Sequence, residues 1–129
     1  MANKDHLDLL HTDVDAWNTW RQANPKIKPD LSSAHLSRAD LTLANLSGAC
    51  LREANLVMAN LRGADLRHAD LTQASLVGAR LLGVDLLQAN LSGADLRTAE
   101  DLTQEQINHT RGDSHTRLPP GIKHPATWH

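Results

Sequence analysis

Leucine recurs every five residues through the middle of this chain, without a gap: Leu31, Leu36, Leu41, Leu46, Leu51, Leu56, Leu61, Leu66, Leu71, Leu76, Leu81, Leu86, Leu91 and Leu96. Two residues before each leucine stands alanine, from Ala34 to Ala94, with Pro29 and Val84 as the departures. The residue just before it is Asp30, Asp40, Asn45, Asn55, Asn60, Asp65, Asp70, Asp85, Asn90 or Asp95, while His35, Cys50, Ser75 and Arg80 break that column. Neither regular element can carry this A-(D/N)-L-x-x pattern. On an α-helix five residues advance about 500°, which smears the leucines round the surface. On a straight strand an odd spacing sends alternate leucines to opposite faces. A shared interior requires the chain to turn after every leucine.

The glycines say where. Gly48, Gly63, Gly78, Gly83 and Gly93 each lie two residues after a column leucine. A type II turn needs φ > 0 at its third residue, which favours glycine. The expected turn therefore runs from each leucine to the next alanine. Where the third slot holds Met58, His68 or Gln88, the expectation is a turn without positive φ, because a Cβ disfavours that region.

The stretches ADLRHADLTQASL and QANLSGADLRTA resemble the pentapeptide repeat family. The resemblance covers roughly residues 30–100 and implies an all-β solenoid, a right-handed quadrilateral β-helix with one repeat per side and four per coil. Fourteen repeats then give about 3.5 coils, a column roughly 17 Å tall at the usual strand spacing. The implied division is a helical N-terminal cap over 1–29, the repeat column over 30–100, and a C-terminal helix with a proline-rich tail over 101–129.

The flanks supply the caps that a stack with two open ends needs. Leu7, Leu10, Val14 and Trp17 follow a helical stripe, expected to cover the first coil together with Trp20. Thr12 with Asp15 reads as a helix restart after a break near His11, and Asn24-Pro25 as the end. After Ala99 the register slips: Asp101 stands where a leucine is due, and Thr103-Gln104-Glu105-Gln106 is a capping box opening a short helix with Ile107. HLDLL, VDAWNTWRQANP and the tail pattern GDxxTxLP…PxxW resemble the ends of one bacterial subset of the family. The tail carries Leu118, Ile122 and Trp128 between prolines. It is expected to run back along the column with Trp128 at least partly buried; the alternative site is the end of the stack beside Thr103 to Ile107.

Composition narrows function more than it names it. Three Trp are the only aromatics, with no Phe or Tyr, which removes most stacking platforms for single-stranded nucleic acid. The net charge of −2 gives no global pull on nucleic acid or anionic lipid. The charged start MANKDHLDLLHTDVD lacks the apolar core of a signal peptide, and no long apolar stretch suits a membrane span, so a cytoplasmic setting is expected. The lone Cys50 rules out an internal disulfide. His6, His11, His35, His68, His109, His115, His124 and His129 fall at spacings that form no metal set, and Arg111-Gly112-Asp113 reads as a turn. The Asp/Asn column reads as local hydrogen bonding to backbone. No catalytic constellation, cofactor site or metal site is expected, and the chain reads as no enzyme.

What remains is the outer surface. Val57, Met58, Val77, Leu82 and Leu87 form a candidate contact patch outside a column that already has its core. Its occupant is the tail, a protein partner or another copy. The expected role is a non-enzymatic structural or protein-interaction module. The alternative is a DNA-mimicking gyrase inhibitor, as some family members are. It is disfavoured because residues 30–99 hold seven acids against six arginines. Contact with nucleic acid or membrane is not expected.

Overall fold

The computed structural model describes residues 1–128; His129, one of the eight histidines, lies outside them. Three helices flank a wound column: α1 (Lys4–Thr12), α2 (Val14–Ala23) and α3 (Gln104–Asn108). Between α2 and α3 the chain turns after each leucine. Ala34 donates its amide to the Leu31 carbonyl at 3.1 Å, and the bond recurs in every repeat through Ala99 to Leu96. The third residue of all these turns has positive φ, from 58° at Ser33 to 70° at Gly83. This corrects the expectation for Met58, His68 and Gln88, whose φ values are 59°, 60° and 59°. The reason is coil-to-coil bonding: the Met58 amide donates to Val77 at 2.9 Å and the His68 amide to Leu87 at 2.9 Å. Those bonds require the same turn whatever side chain occupies the slot.

Residues twenty apart pair in parallel, from Asp30 with Cys50 up to Arg80 with Glu100. One coil therefore takes four repeats. Each side contributes a single bridged residue, and no longer strand forms among the described residues. The ladder continues past residue 100, because Arg111 pairs with Asn90 and Arg117 with Asp95. All fourteen leucines are at most 2 % exposed and fill the interior with the alanines. Burying each is worth about 1.5–3 kcal/mol.

The Asp/Asn column ties each side to its turn. All ten carboxylates or amides accept the backbone N–H two residues on, as Asp30 does from Ser32 at 3.1 Å and Asn90 from Ser92 at 3.0 Å. Such short polar side chains fold back onto local backbone because the reach matches.

Both ends are closed by side chains. Leu10 and Trp17 are buried against the first coil, with Leu7, Val14 and Trp20 partly buried beside them. The second helix starts at Asp13, whose carboxylate accepts the Ala16 amide at 2.6 Å; this corrects the placement of the restart at Thr12. Both residues can cap, and Asp13 has the extended backbone and the right reach. From α2, Asn18 accepts the Asn45 amide at 2.8 Å and donates to the Leu43 carbonyl at 3.0 Å. Buried Arg21 donates to Ser47 at 2.8 Å, and burial pushes its guanidinium pKa down. His6 Nδ1 accepts the Asp30 amide at 3.1 Å. At the far end the Thr103–Gln106 capping box opens α3, and Ile107 plugs the core with no exposed surface.

Candidate interaction surface

Side chains face outward at the second and third turn positions and, as at His35, Asp40, Arg80 and Asp85, in the column before each leucine; the twenty-residue coil sorts the turn positions into columns. Val57, Val77 and Arg97 share one column; Arg62 and Leu82 share another; Arg67 and Leu87 a third. Val57 and Val77 are half-buried, and Met58 is 48 % exposed and lies over Gly78. Leu82 and Leu87 are 56 % and 43 % exposed and line a groove beside α3, at the C-terminal end. The five patch residues thus divide into two groups. Val57, Met58 and Val77 sit together mid-column, and Leu82 and Leu87 flank the end. Leu43, 67 % exposed, is the most exposed leucine among the described residues. It lies over Gly63, where an added Cβ would come within 2.7 Å of Leu43 Cδ2.

The tail does not cover these residues. It packs at the end of the stack, which settles the docking site in favour of the alternative. Lys123 donates its amide to Gln104 Oε1 at 2.8 Å, and Gln104 Nε2 donates to the Lys123 carbonyl at 2.9 Å. Partly buried Trp128 donates from Nε1 to the Thr110 carbonyl at 3.1 Å, and its indole lies where a side chain on Gly112 would be. Leu118 and Ile122 are partly buried against the core.

Charge on the column is largely paired. Arg67 grips Asp65 at 2.7 Å and reaches Asp85 at 3.8 Å; Arg97 holds Asp95 at 2.7 Å, Arg52 meets Asp70 at 3.3 Å, and Arg80 meets Glu100 at 3.7 Å. The side-chain bonds from Arg67 and Arg97 hold the Asp65 and Asp95 carboxyls below the usual range, with burial opposing. At Asp70 burial works upward, and the bonds from Thr72 and Arg52 outweigh it. Among the described residues no group of three or more His, Cys, Asp or Glu is placed to hold a metal ion. Cys50 is a free, partly buried thiol in the Asp/Asn column. Among the described residues no helix is long and apolar enough to cross a membrane.

The model for pentapeptide repeats matches residues 28–56 and 59–97. Among solved structures the chain is similar to the pentapeptide repeat protein Rfr23 of the cyanobacterium Cyanothece 51142. That likeness has 35 % identity and a TM-score of 0.63, over 72 % of this chain and 67 % of that one. It is also similar to the pentapeptide repeat protein alr5209 of Nostoc PCC 7120, with 32 % identity and a TM-score of 0.43 over 82 % and 87 % of the two chains. No curated protein matches the chain, and no enzymatic family is indicated.

Proposed function

Because the chain belongs to the pentapeptide repeat family, we propose that it is a non-enzymatic interaction module: a right-handed, four-sided column that presents side chains to a protein partner. The observation that carries this reading is the set of uncovered apolar side chains at turn positions, Leu43, Met58, Leu82 and Leu87. The interior uses leucine and alanine almost without variation, so the turn positions, with the column before each leucine, distinguish one face from another. A rigid scaffold with variable outward positions suits recognition, and apolar residues left outside a complete core suit contact.

Paired charge argues against a DNA mimic, which needs a continuous acidic surface. Purified protein at micromolar concentration is expected to leave gyrase supercoiling unchanged, and dose-dependent inhibition would move the reading to that class. The direct test is affinity capture from the native host with the intact chain and with a variant carrying Leu43→Ser, Leu82→Ser and Leu87→Ser. A reproducible partner lost from the variant supports the module. Equal recovery on both, or no partner on either, overturns it.

A further inference from the structure

Leu86 is the one column leucine whose amide has no hydrogen-bond partner among the described residues; the other thirteen donate to a carbonyl one coil further on. The Gly83 amide is likewise unpartnered, whereas Gly63, one coil below, donates to Leu82 at 2.9 Å. The path of the chain is the cause. Glu100 completes the rung over Arg80, and Asp101 then takes a φ of 61° and leads away into α3. The ladder resumes only where His109 accepts from Gln88 and Arg111 pairs with Asn90. The rung over Asp85 is missing. A groove of about 510 Å³ occupies its place, lined by Leu82, Gly83, Leu86 and Leu87, with α3 along one wall. Leu86 is buried and Gly83 is exposed, so the two amides are donors of one ladder left without acceptors on an open groove, an edge that can pair with another chain.

We propose that this groove takes an extended segment of a partner protein, which supplies the missing rung. The proposal rests on the interaction reading and names the class of ligand for one part of that surface. The ladder itself specifies the segment. Gly63 and Leu66 donate to carbonyls three residues apart, those of Leu82 and Asp85. Gly83 and Leu86 repeat that donor pair one coil on, so the segment presents two main-chain carbonyls at the same spacing. Its role there is acceptor, because Gln106 Nε2 already donates to the Val84 carbonyl at 3.0 Å. An apolar side chain of the segment lies between Leu82 and Leu87. Asp85, Asp101 and Glu105 line the same groove with His109; Arg67 reaches Asp85 at 3.8 Å and His109 Nε2 lies 3.5 Å from Glu105, so acids outnumber bases there and the segment carries Lys or Arg. Strand addition of this kind takes affinity from main-chain bonds and selectivity from side-chain pockets. The tail is not the occupant, since it is held at Gln104 and Thr110.

The test is a random short-peptide display library panned on the full chain, followed by amide-resolved NMR with the enriched peptide. Enriched peptides are expected to combine an apolar residue with Lys or Arg. Binding should fall about tenfold or more in the Leu82→Ser, Leu87→Ser double variant, and stay unchanged in Leu43→Ser. Exchange of the Gly83 and Leu86 amides should slow on binding. Absence of any enriched peptide, or a peptide that binds without protecting those two amides, overturns the proposal. So does protection in the free chain that rises with protein concentration alongside dimer formation, which assigns the groove to a second copy. None of these failures touches a partner captured through Leu43, so the broader reading stands or falls separately.

Discussion

The indole N–H of Trp17 donates to the carbonyl oxygen of Asn45 at 2.7 Å, and Trp17 has no exposed surface. A helix side chain thus takes the place of the coil that would otherwise lie beneath Asn45, as Asn18 and Arg21 do beside it. The cap bonds to the column and also covers it.

Two substitutions separate those roles. Trp17→Phe keeps most of the buried ring and leaves the Asn45 carbonyl with Arg21, at 3.2 Å. It should cost about 0.5–1.5 kcal/mol, the net worth of one hydrogen bond. Trp17→Ala should cost about 3–5 kcal/mol through the cavity it opens. Urea unfolding of the two variants checks the gap. Equal losses would mean that α2 covers the first coil without being bonded to it.

Register predicts a second contrast, between neighbours in sequence. Leu66 is fully buried and Arg67 is exposed. Leu66→Ala should destabilise by about 2–5 kcal/mol. The loss is shared by the coils on both sides, because each coil touches only its neighbours. Arg67→Ala should move the melting temperature little, since exposed ion pairs contribute weakly. Similar melting temperatures for the two variants would contradict the assigned interior.

Acid should weaken the column through its aspartates. Hydrogen bonds from Arg67 and Arg97 lower the Asp65 and Asp95 pKa values, and bonds from Ser32 and Thr42 lower those of Asp30 and Asp40. A folded pKa below the unfolded value of about 3.9 means that the unfolded chain binds protons first as pH falls. The stability these groups contribute is full above that value and is lost as pH drops through the folded values. Denaturant midpoints measured down a pH series should therefore fall below about pH 4. The Asp65→Asn, Asp95→Asn double variant should show a shallower fall; an unchanged acid limb would remove these two carboxylates from the account.

The leucine interior and the turn after each leucine were legible because burial at a spacing of five leaves no other path. The conformation of the turns at Met58, His68 and Gln88 was not, since local preference opposes it by about 1–2 kcal/mol per residue. Coil-to-coil bonds such as Met58 to Val77 override that preference, and they join residues nineteen apart. The missing rung over Asp85 left only Val84 in place of alanine in the repeat of Leu86, a change of size that says nothing of a rung. It depends on where Asp101 steers the chain, and a one-residue register slip does not encode that direction. That Leu82 and Leu87 of the patch flank a groove beside α3 was not legible either, since it too depends on the path after Asp101. The coil separates Val57 from Leu87 by the columns they occupy.

The tail was legible as a packed segment from Leu118, Ile122 and Trp128, while its site depended on two residues with no apolar signal, Gly112 and Gln104. Their partners give the last prediction. A Cβ on Gly112 would stand within 2.6 Å of the Trp128 ring, against rigid aromatic atoms that cannot yield as a flexible chain end does. Gly112 has no positive φ, so the Ala backbone itself is unstrained there. Gly112→Ala should therefore act through Trp128 alone: the indole moves off Thr110 and its emission shifts to the red. A Trp128→Phe background, which removes the reporter, should abolish that shift. Amide exchange at Leu66 should stay as slow as in the parent chain, because the interior is untouched. If Trp128 emission is unchanged in Gly112→Ala, the indole is not seated on Gly112. If Leu66 exchange accelerates as well, the tail supports the whole column rather than its last coil.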